Sequence, residues 1–272
     1  VDSLVIIQGE LNAPTLEQKG GKIIIGGDQP VTEVKGYVGA VGRNSGEKGG
    51  KITITGKSVT VQAGSLIDAS GKAGGGDVLI GGDYQGKGDI PTAQRAIIEK
   101  DARIWANATE KGDGGKVIIW ADDTTDFHGD IEATGGPLGG NGGFVETSGK
   151  AILTSSGNVN AGARRGKGGQ WLLDPTDVTI SGGGAEDVSG GGPNTTGSID
   201  ASTIQTALNA GTSVTVTTAI GGGDNGDLTL SSATINKTAG GDATLSLIAD
   251  QDILTTGTNS ITSSAGNNTL YM

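Results

Sequence analysis

Residues 49–76 read GGKITITGKSVTVQAGSLIDASGKAGGG, three short alternating runs framed by doubled glycines. The apolar positions are Ile52/Ile54, Val59/Val61 and Leu66/Ile67 leading to Ala69, with about seven residues between runs. Successive side chains of a strand point to opposite sides, so Ile52 and Ile54 share one side while Thr53 and Thr55 share the other. Between the runs lie Gly56-Lys57, Ala63-Gly64 and Ser70-Gly71-Lys72, residue types that make tight turns. Three strands joined by three corners make one triangular coil.

The framing glycines recur at Gly20-Gly21, Gly49-Gly50, Gly75-Gly76, Gly114-Gly115, Gly142-Gly143 and Gly168-Gly169, at intervals of 29, 26, 39, 28 and 26 residues. Self-similarity at such a period marks a solenoid, in which each unit buries its apolar face only against the next. The triple pattern returns as Val117/Ile119, the stretch around Phe127 and Ile131/Ala133, then as Phe144, Ile152 and Val159/Ala161. The expected fold is all-β: a right-handed parallel β-helix with triangular coils, forming one domain over residues 1–272. About ten coils at ~4.8 Å each give a rod on the order of 50 Å long.

The interval of 39 residues is too long for one coil, which predicts a protruding loop at residues 83–95, and a Gly/Ser/Asn stretch predicts another at 181–197. Ile204, Ala207 and Leu208 fall at helical spacing, with Ser202 as N-cap and Gly211 as stop, predicting a short helix that covers an edge of the rod. From Val214 the strand rhythm resumes as Val214/Val216, Leu228/Leu230, Ala243/Leu245/Leu247 and Ile253. No polar terminal cap is visible, so a longer parent chain or an end-to-end partner is expected.

Composition agrees with a narrow core. The 272 residues include 53 Gly and only 3% aromatics, and a cavity one side chain deep is filled by aliphatics, not rings. A net charge of −11 argues against nucleic acid and anionic membranes as partners. Without cysteine there are no disulfides, thiol nucleophiles or zinc-thiolate sites. No apolar run approaches the ~18 residues of a membrane-spanning helix, and no basic-plus-apolar leader follows Val1-Asp2, so a signal peptide is expected to lie upstream or to have been removed.

Three long strings carry a family likeness: Gly81-Gly82-Asp83-Tyr84-Gln85-Gly86-Lys87-Gly88, Gly142-Gly143-Phe144-Val145-Glu146-Thr147-Ser148-Gly149 and Trp171-Leu172-Leu173-Asp174-Pro175. With Ile204–Thr212 and Lys237–Leu245, they make residues 20–272 resemble the two-partner-secreted exoproteins of Gram-negative bacteria, the filamentous-haemagglutinin-like and high-molecular-weight adhesins. The resemblance implies a right-handed parallel β-helix, passage of the parent chain through an outer-membrane transporter, and a place at the cell surface or in the extracellular matrix. The Asn-Pro-containing secretion signature of that family is not found, so export is expected of the parent and not of this stretch. The matched strings are structural in character and imply no catalytic residues.

The densest polar cluster is Asp122, Asp123, Asp126, His128 and Asp130, with the chain's only histidine. Parallel β-helices host enzymes that cleave acidic polysaccharides with clustered carboxylates, but those draw their groups from successive coils and add a basic residue. A cluster within nine residues of one coil reads instead as a solvated turn. Gly221–Asp227 resembles calcium-binding Gly/Asp turns but occurs once, and Thr53/Thr55 with Thr215/Thr217 do not form a repeated hydroxyl array. Asn-X-Ser/Thr triplets at Asn107, Asn194, Asn236 and Asn267 number four where 13 Asn and 50 Ser plus Thr give about two or three by chance. The Gly-rich pairs are not read as phosphate loops, since no alternating helix lends them its N-terminus, and Trp105, Trp120 and Trp171 sit in apolar runs that suit packing better than sugar stacking.

The expectation is a non-enzymatic structural or adhesive segment of a secreted surface fibre, with no cofactor and no metal. Its partners would be host-cell or matrix glycans or proteins, with end-to-end self-association as an alternative. A second alternative is a polysaccharide lyase or hydrolase on the same fold.

Overall fold

Val, Ile and Thr dominate the alternating runs because branched side chains fit a pleated surface buried on one side. The computed structural model describes residues 4–13, 21–27, 30–183, 196–219, 226–264 and 270–271. After β1 (Leu4–Asn12), the chain winds through β2 (Lys22–Ile25) and the long β3 (Val31–Gly39). Regular triplets follow: β4 (Lys51–Ile54), β5 (Ser58–Val61) and β6 (Leu66–Asp68), then β7 (Asp77–Ile80), β8 (Arg95–Ile98) and β9 (Arg103–Trp105). The next two are β10 (Lys116–Ala121), β11 (Thr124–Phe127) and β12 (Asp130–Glu132), and β13 (Phe144–Gly149), β14 (Ile152–Ser155) and β15 (Asn158–Asn160).

Every strand pairs in parallel with its counterpart one coil away. The first face runs β2-β4-β7-β10-β13; the front of β3 leads β5, β8, β11 and β14 up the second, and its back leads β6, β9, β12 and β15 up the third. Register is strict, so like side chains stack: Ile25, Ile54, Ile80 and Ile119 form one inward column. The inward columns merge into a single apolar core from Ile23 to Leu245, in which Ile52 and Ile54 are fully buried. Each such aliphatic contributes roughly 1.5–3 kcal/mol on leaving water. Its bulkiest member is Trp171, whose ring meets Phe127 edge-on at 6.5 Å and whose Nε1 donates to Thr147 Oγ1 at 2.9 Å.

The doubled glycines have a steric cause. A Cβ on the second glycine of a pair would lie far inside contact distance of a carbonyl one coil below: 2.0 Å from Gly50 O for Gly76, 2.0 Å from Gly76 O for Gly115 and 2.1 Å from Gly115 O for Gly143. On the first glycine it would strike the alanine ending the third face, at 1.9 Å from Ala106 O for Gly75 and 1.7 Å from Ala161 O for Gly142. Coils can therefore stack at strand spacing at this corner only without side chains.

Beyond β15 the winding changes. β16 (Gln170–Leu173) continues the first face, but β17 (Val178–Ser181) is followed by β18 (Gly197–Asp200) on the same second face, and β18 slips between β14 and β17. Next, α1 (Ala201–Asn209) takes the third-face position over β15. Regular winding resumes with β19 (Ser213–Thr217), β20 (Leu228–Ser231) and β21 (Thr234–Lys237), then β22 (Ala243–Ile248), β23 (Ile253–Thr256), β24 (Ser260–Ser263) and β25 (Leu270–Tyr271). β21 packs on the other side of α1, so the helix is a course in the wall. A helix is ~10 Å across, about two strand spacings, and the doubled strand supplies a matching extra spacing on the neighbouring face.

Several expectations change. The helix lies within the stack instead of covering an edge, because Ile204, Ala207 and Leu208 face the core. Its N-cap is Asp200, whose carboxylate accepts from Ser202 N at 2.8 Å, while Gly211 takes φ +80 just past the end, as a helix stop requires. In the coil of β13–β15, Val145 and Leu153 point inward; Phe144 and Ile152, expected there, are only partly buried on the outer side. Most of the predicted loop at 181–197 and of the Gly221–Asp227 turn lies outside the described residues. Within the latter, Gly226 and Asp227 donate their amides to Asp177 Oδ1 at 2.7 and 2.8 Å.

Candidate functional site

The insertion after β7 does not protrude. It lies along the outer side of the first face, which there carries the column Leu79, Ile118, Glu146 and Leu172. Leu79, Ile118 and Trp120 form a second small core beneath it, with Ile90 and Phe144 at its margin. Gly86 explains the close approach: at φ +63 its added Cβ would lie 2.6 Å from the Trp120 ring. Asp83 caps the 3-10 turn Tyr84–Gly86 by accepting from Tyr84 N at 2.8 Å.

This loop fastens itself to three later coils. Asp83 pairs with Lys116 of β10 at 3.2 Å, and the Tyr84 ring meets Phe144 of β13 at 5.7 Å. The Gln85 amide donates to both Glu146 oxygens at 3.2 Å, and its side chain donates to Asp174 Oδ2 at 3.1 Å. Ser148 Oγ accepts from Asp174 N at 3.2 Å. The three strings that carried the family likeness therefore meet at one place, residue 85 touching residues 146 and 174.

Electrostatics at this point are unusual. Glu146 is fully buried, and burial pushes its carboxyl up to about 7; Gln85 and Ser148 pull against the rise, while Asp174 and Asp83 add to it. Asp174 is raised by burial too, with Gln85 and Lys87 opposing. Asp83 feels burial in the same direction, yet the Tyr84 amide and the Lys116 ammonium hold it below its ordinary value. Both Glu146 oxygens are already engaged by the loop, so the group acts as a fastener whose charge depends on pH near neutrality.

The Asp122–Asp130 cluster is dispersed over separate contacts. Asp122 accepts from Thr92 Oγ1 at 2.5 Å and from Trp120 Nε1 at 3.3 Å, Asp126 pairs with Arg95 at 3.0 Å, and Asp123 is exposed. His128 Nδ1 bonds Ser156 Oγ at 2.6 Å, and Asp130 Oδ1 accepts from Asn158 Nδ2 at 2.9 Å. Most of these contacts tie one coil to its neighbour. Among the described residues no three His, Asp or Glu side chains assemble as a metal cage. Asn107 of the first Asn-X-Thr triplet is locked to Glu132 and Thr134, at 2.9 and 2.8 Å. Of the tryptophans, Trp171 lies in the main core, Trp120 under the loop, and Trp105 beneath the Arg103 guanidinium at 5.7 Å.

Glu146 and Asp174 were missed as a pair because they lie 28 residues apart and are brought together through Gln85 and Ser148. Their presence in two of the likeness strings was the one available signal. No model of a known protein family matches the chain, and no curated protein matches it.

Proposed function

We propose that the chain is a rigid stalk segment of a secreted, cell-surface or matrix fibre of a Gram-negative bacterium, exported with its parent through an outer-membrane transporter and contributing to adhesion by holding binding surfaces away from the cell. The observation that carries this reading is the continuous core: parallel strand faces, with one helical course among them, share one apolar core from Ile23 to Leu245, with a loop bolted along the outside. Such a body resists bending and needs no active site to do its work. The likeness of its strings to two-partner-secreted adhesins supports the location and the role.

The test is display. Placed between an outer-membrane anchor and a terminal epitope, the chain should hold the epitope on the order of 50 Å further from the membrane than a short flexible linker does. An epitope no further out than the linker control would refute the stalk role.

End-to-end assembly of copies is a second reading, favoured by Ile248, Ile253 and Leu254 on the last coils, each close to half exposed. Light scattering that rises with concentration would support it, and a monomer at all concentrations would remove it. Turnover of acidic glycans by the purified chain would instead establish the lyase or hydrolase alternative.

A further inference from the structure

The course change at α1 also reshapes the glycine corner. Between β15 and β16 that corner is a turn of nine residues, 161–169, but between α1 and β19 it shrinks to three, 210–212, and between β21 and β22 to five, 238–242. The long turn below and the short ones above leave a notch of about 1040 Å³ along the corner. Its lining is mostly glycine and alanine backbone, with Asn160, Ser213 and Thr244 offering amide and hydroxyl groups.

Arg164 and Lys167 line this notch, and Arg165 stands beside them, all three on the same turn with both arginines exposed. None pairs with a carboxylate among the described residues, in a chain whose net charge is −11. The one carboxylate of the lining, Asp242, directs its field at the buried Lys237 ammonium. Three cations within four residues, with no carboxylate paired to them among the described residues, make the rim of this notch suited to an anionic occupant.

We propose that this notch binds an acidic polysaccharide, a uronic-acid-bearing chain whose carboxylates meet Arg164, Arg165 and Lys167 and whose hydroxyls meet Asn160, Ser213 and Thr244. Two observations favour sugar over nucleic acid. No aromatic ring lines the notch to stack a base. The acidic remainder of the surface repels a single strand with a charge every ~3.4 Å more than a chain charged once per sugar. The assignment stands apart from the stalk role, since a spacer needs no ligand of its own.

Isothermal titration with a short oligo-uronate, a neutral oligoglucan and a short single-stranded DNA tests it on the full chain. The oligo-uronate should bind, and added salt should weaken it. The triple variant Arg164→Ser/Arg165→Ser/Lys167→Ser should lose about tenfold or more in affinity, as expected from removing charge-assisted contacts. A control of equal charge loss at sites elsewhere, Lys35→Ser/Lys57→Ser/Lys100→Ser, should bind almost as wild type; circular dichroism confirms that both variants fold. No oligo-uronate binding, an equal loss in the control, or DNA or neutral glucan binding as tightly would each overturn the proposal.

Discussion

Replacing Glu146 by Gln should abolish a pH dependence of stability that the wild-type chain carries. The carboxyl titrates at about 7 in the folded chain against an ordinary value of 4.5, and a rise of that size corresponds to about 3 kcal/mol. The sign follows from proton binding. Between pH 4.5 and 7 the folded chain keeps this proton while the unfolded chain releases it, so unfolding becomes easier as pH rises through that window. The contribution is fully present below about 4.5 and lost above about 7. The glutamine side chain of the variant stays neutral, fills the same space and can still accept from the Gln85 amide. Urea midpoints of both proteins across roughly pH 4–9 give the comparison, in which titrating groups remote from Glu146 cancel. Because solenoids can open locally, exchange of the Gln85 amide provides a second reading of the loop itself. The variant should become the more stable protein above neutrality, by up to about 3 kcal/mol, with its Gln85 amide better protected. Parallel wild-type and variant profiles would refute the assignment of a protonated, buried Glu146.

Ile54→Asp places a carboxylate in the column Ile25–Ile54–Ile80 and should cost on the order of 4 kcal/mol or more, since the position is fully buried; an unchanged thermal melt would contradict the register. Gly115→Ala should be poorly tolerated although it adds one methyl, because the new Cβ would meet Gly76 O at 2.0 Å; a melting temperature indistinguishable from wild type would count against the close stacking. Lys237 is fully buried and donates to Leu208 O at 2.8 Å and to Ala239 O, at the C-terminal end of α1. Lys237→Met keeps the bulk and removes the ammonium from both carbonyls, of which Leu208 O keeps the Gly211 amide at 3.0 Å, so a loss of roughly 1–3 kcal/mol is expected in chemical denaturation, and none would mean water serves Ala239 O equally well.

Much of this architecture was readable where one residue type has one use. Doubled glycines at a near-constant period located the corner, and alternation from Lys51 to Val61 gave two strands with the correct inward set, whereas in the third run Ile67 faces the core and Leu66, read together with it, is only partly buried. Legibility failed where two apolar residues adjoin. Phe144-Val145 and Ile152-Leu153 fit either orientation, and only stacking against Val117 and Thr125 decides for the second of each pair. The insertion at 83–95 was visible as excess length, but its resting place depends on an apolar outer column assembled from Leu79, Ile118 and Leu172. Glu146 stood in the sequence only as one member of a likeness string of structural character. Burial by a segment about sixty residues earlier, which no local pattern encodes, gives it its character.

The wall course formed by α1 has a geometric consequence. Between β14 and β20 the second face holds two strands, and between β15 and β21 the third holds a helix as thick as two, whereas the first face advances from β13 to β19 with β16 alone. Two sides of the tower thus rise by one more storey, about 4.8 Å, than the remaining one. A tower built that way must lean toward its shorter side at this level, so the helix works as a keystone that tips the storeys above it.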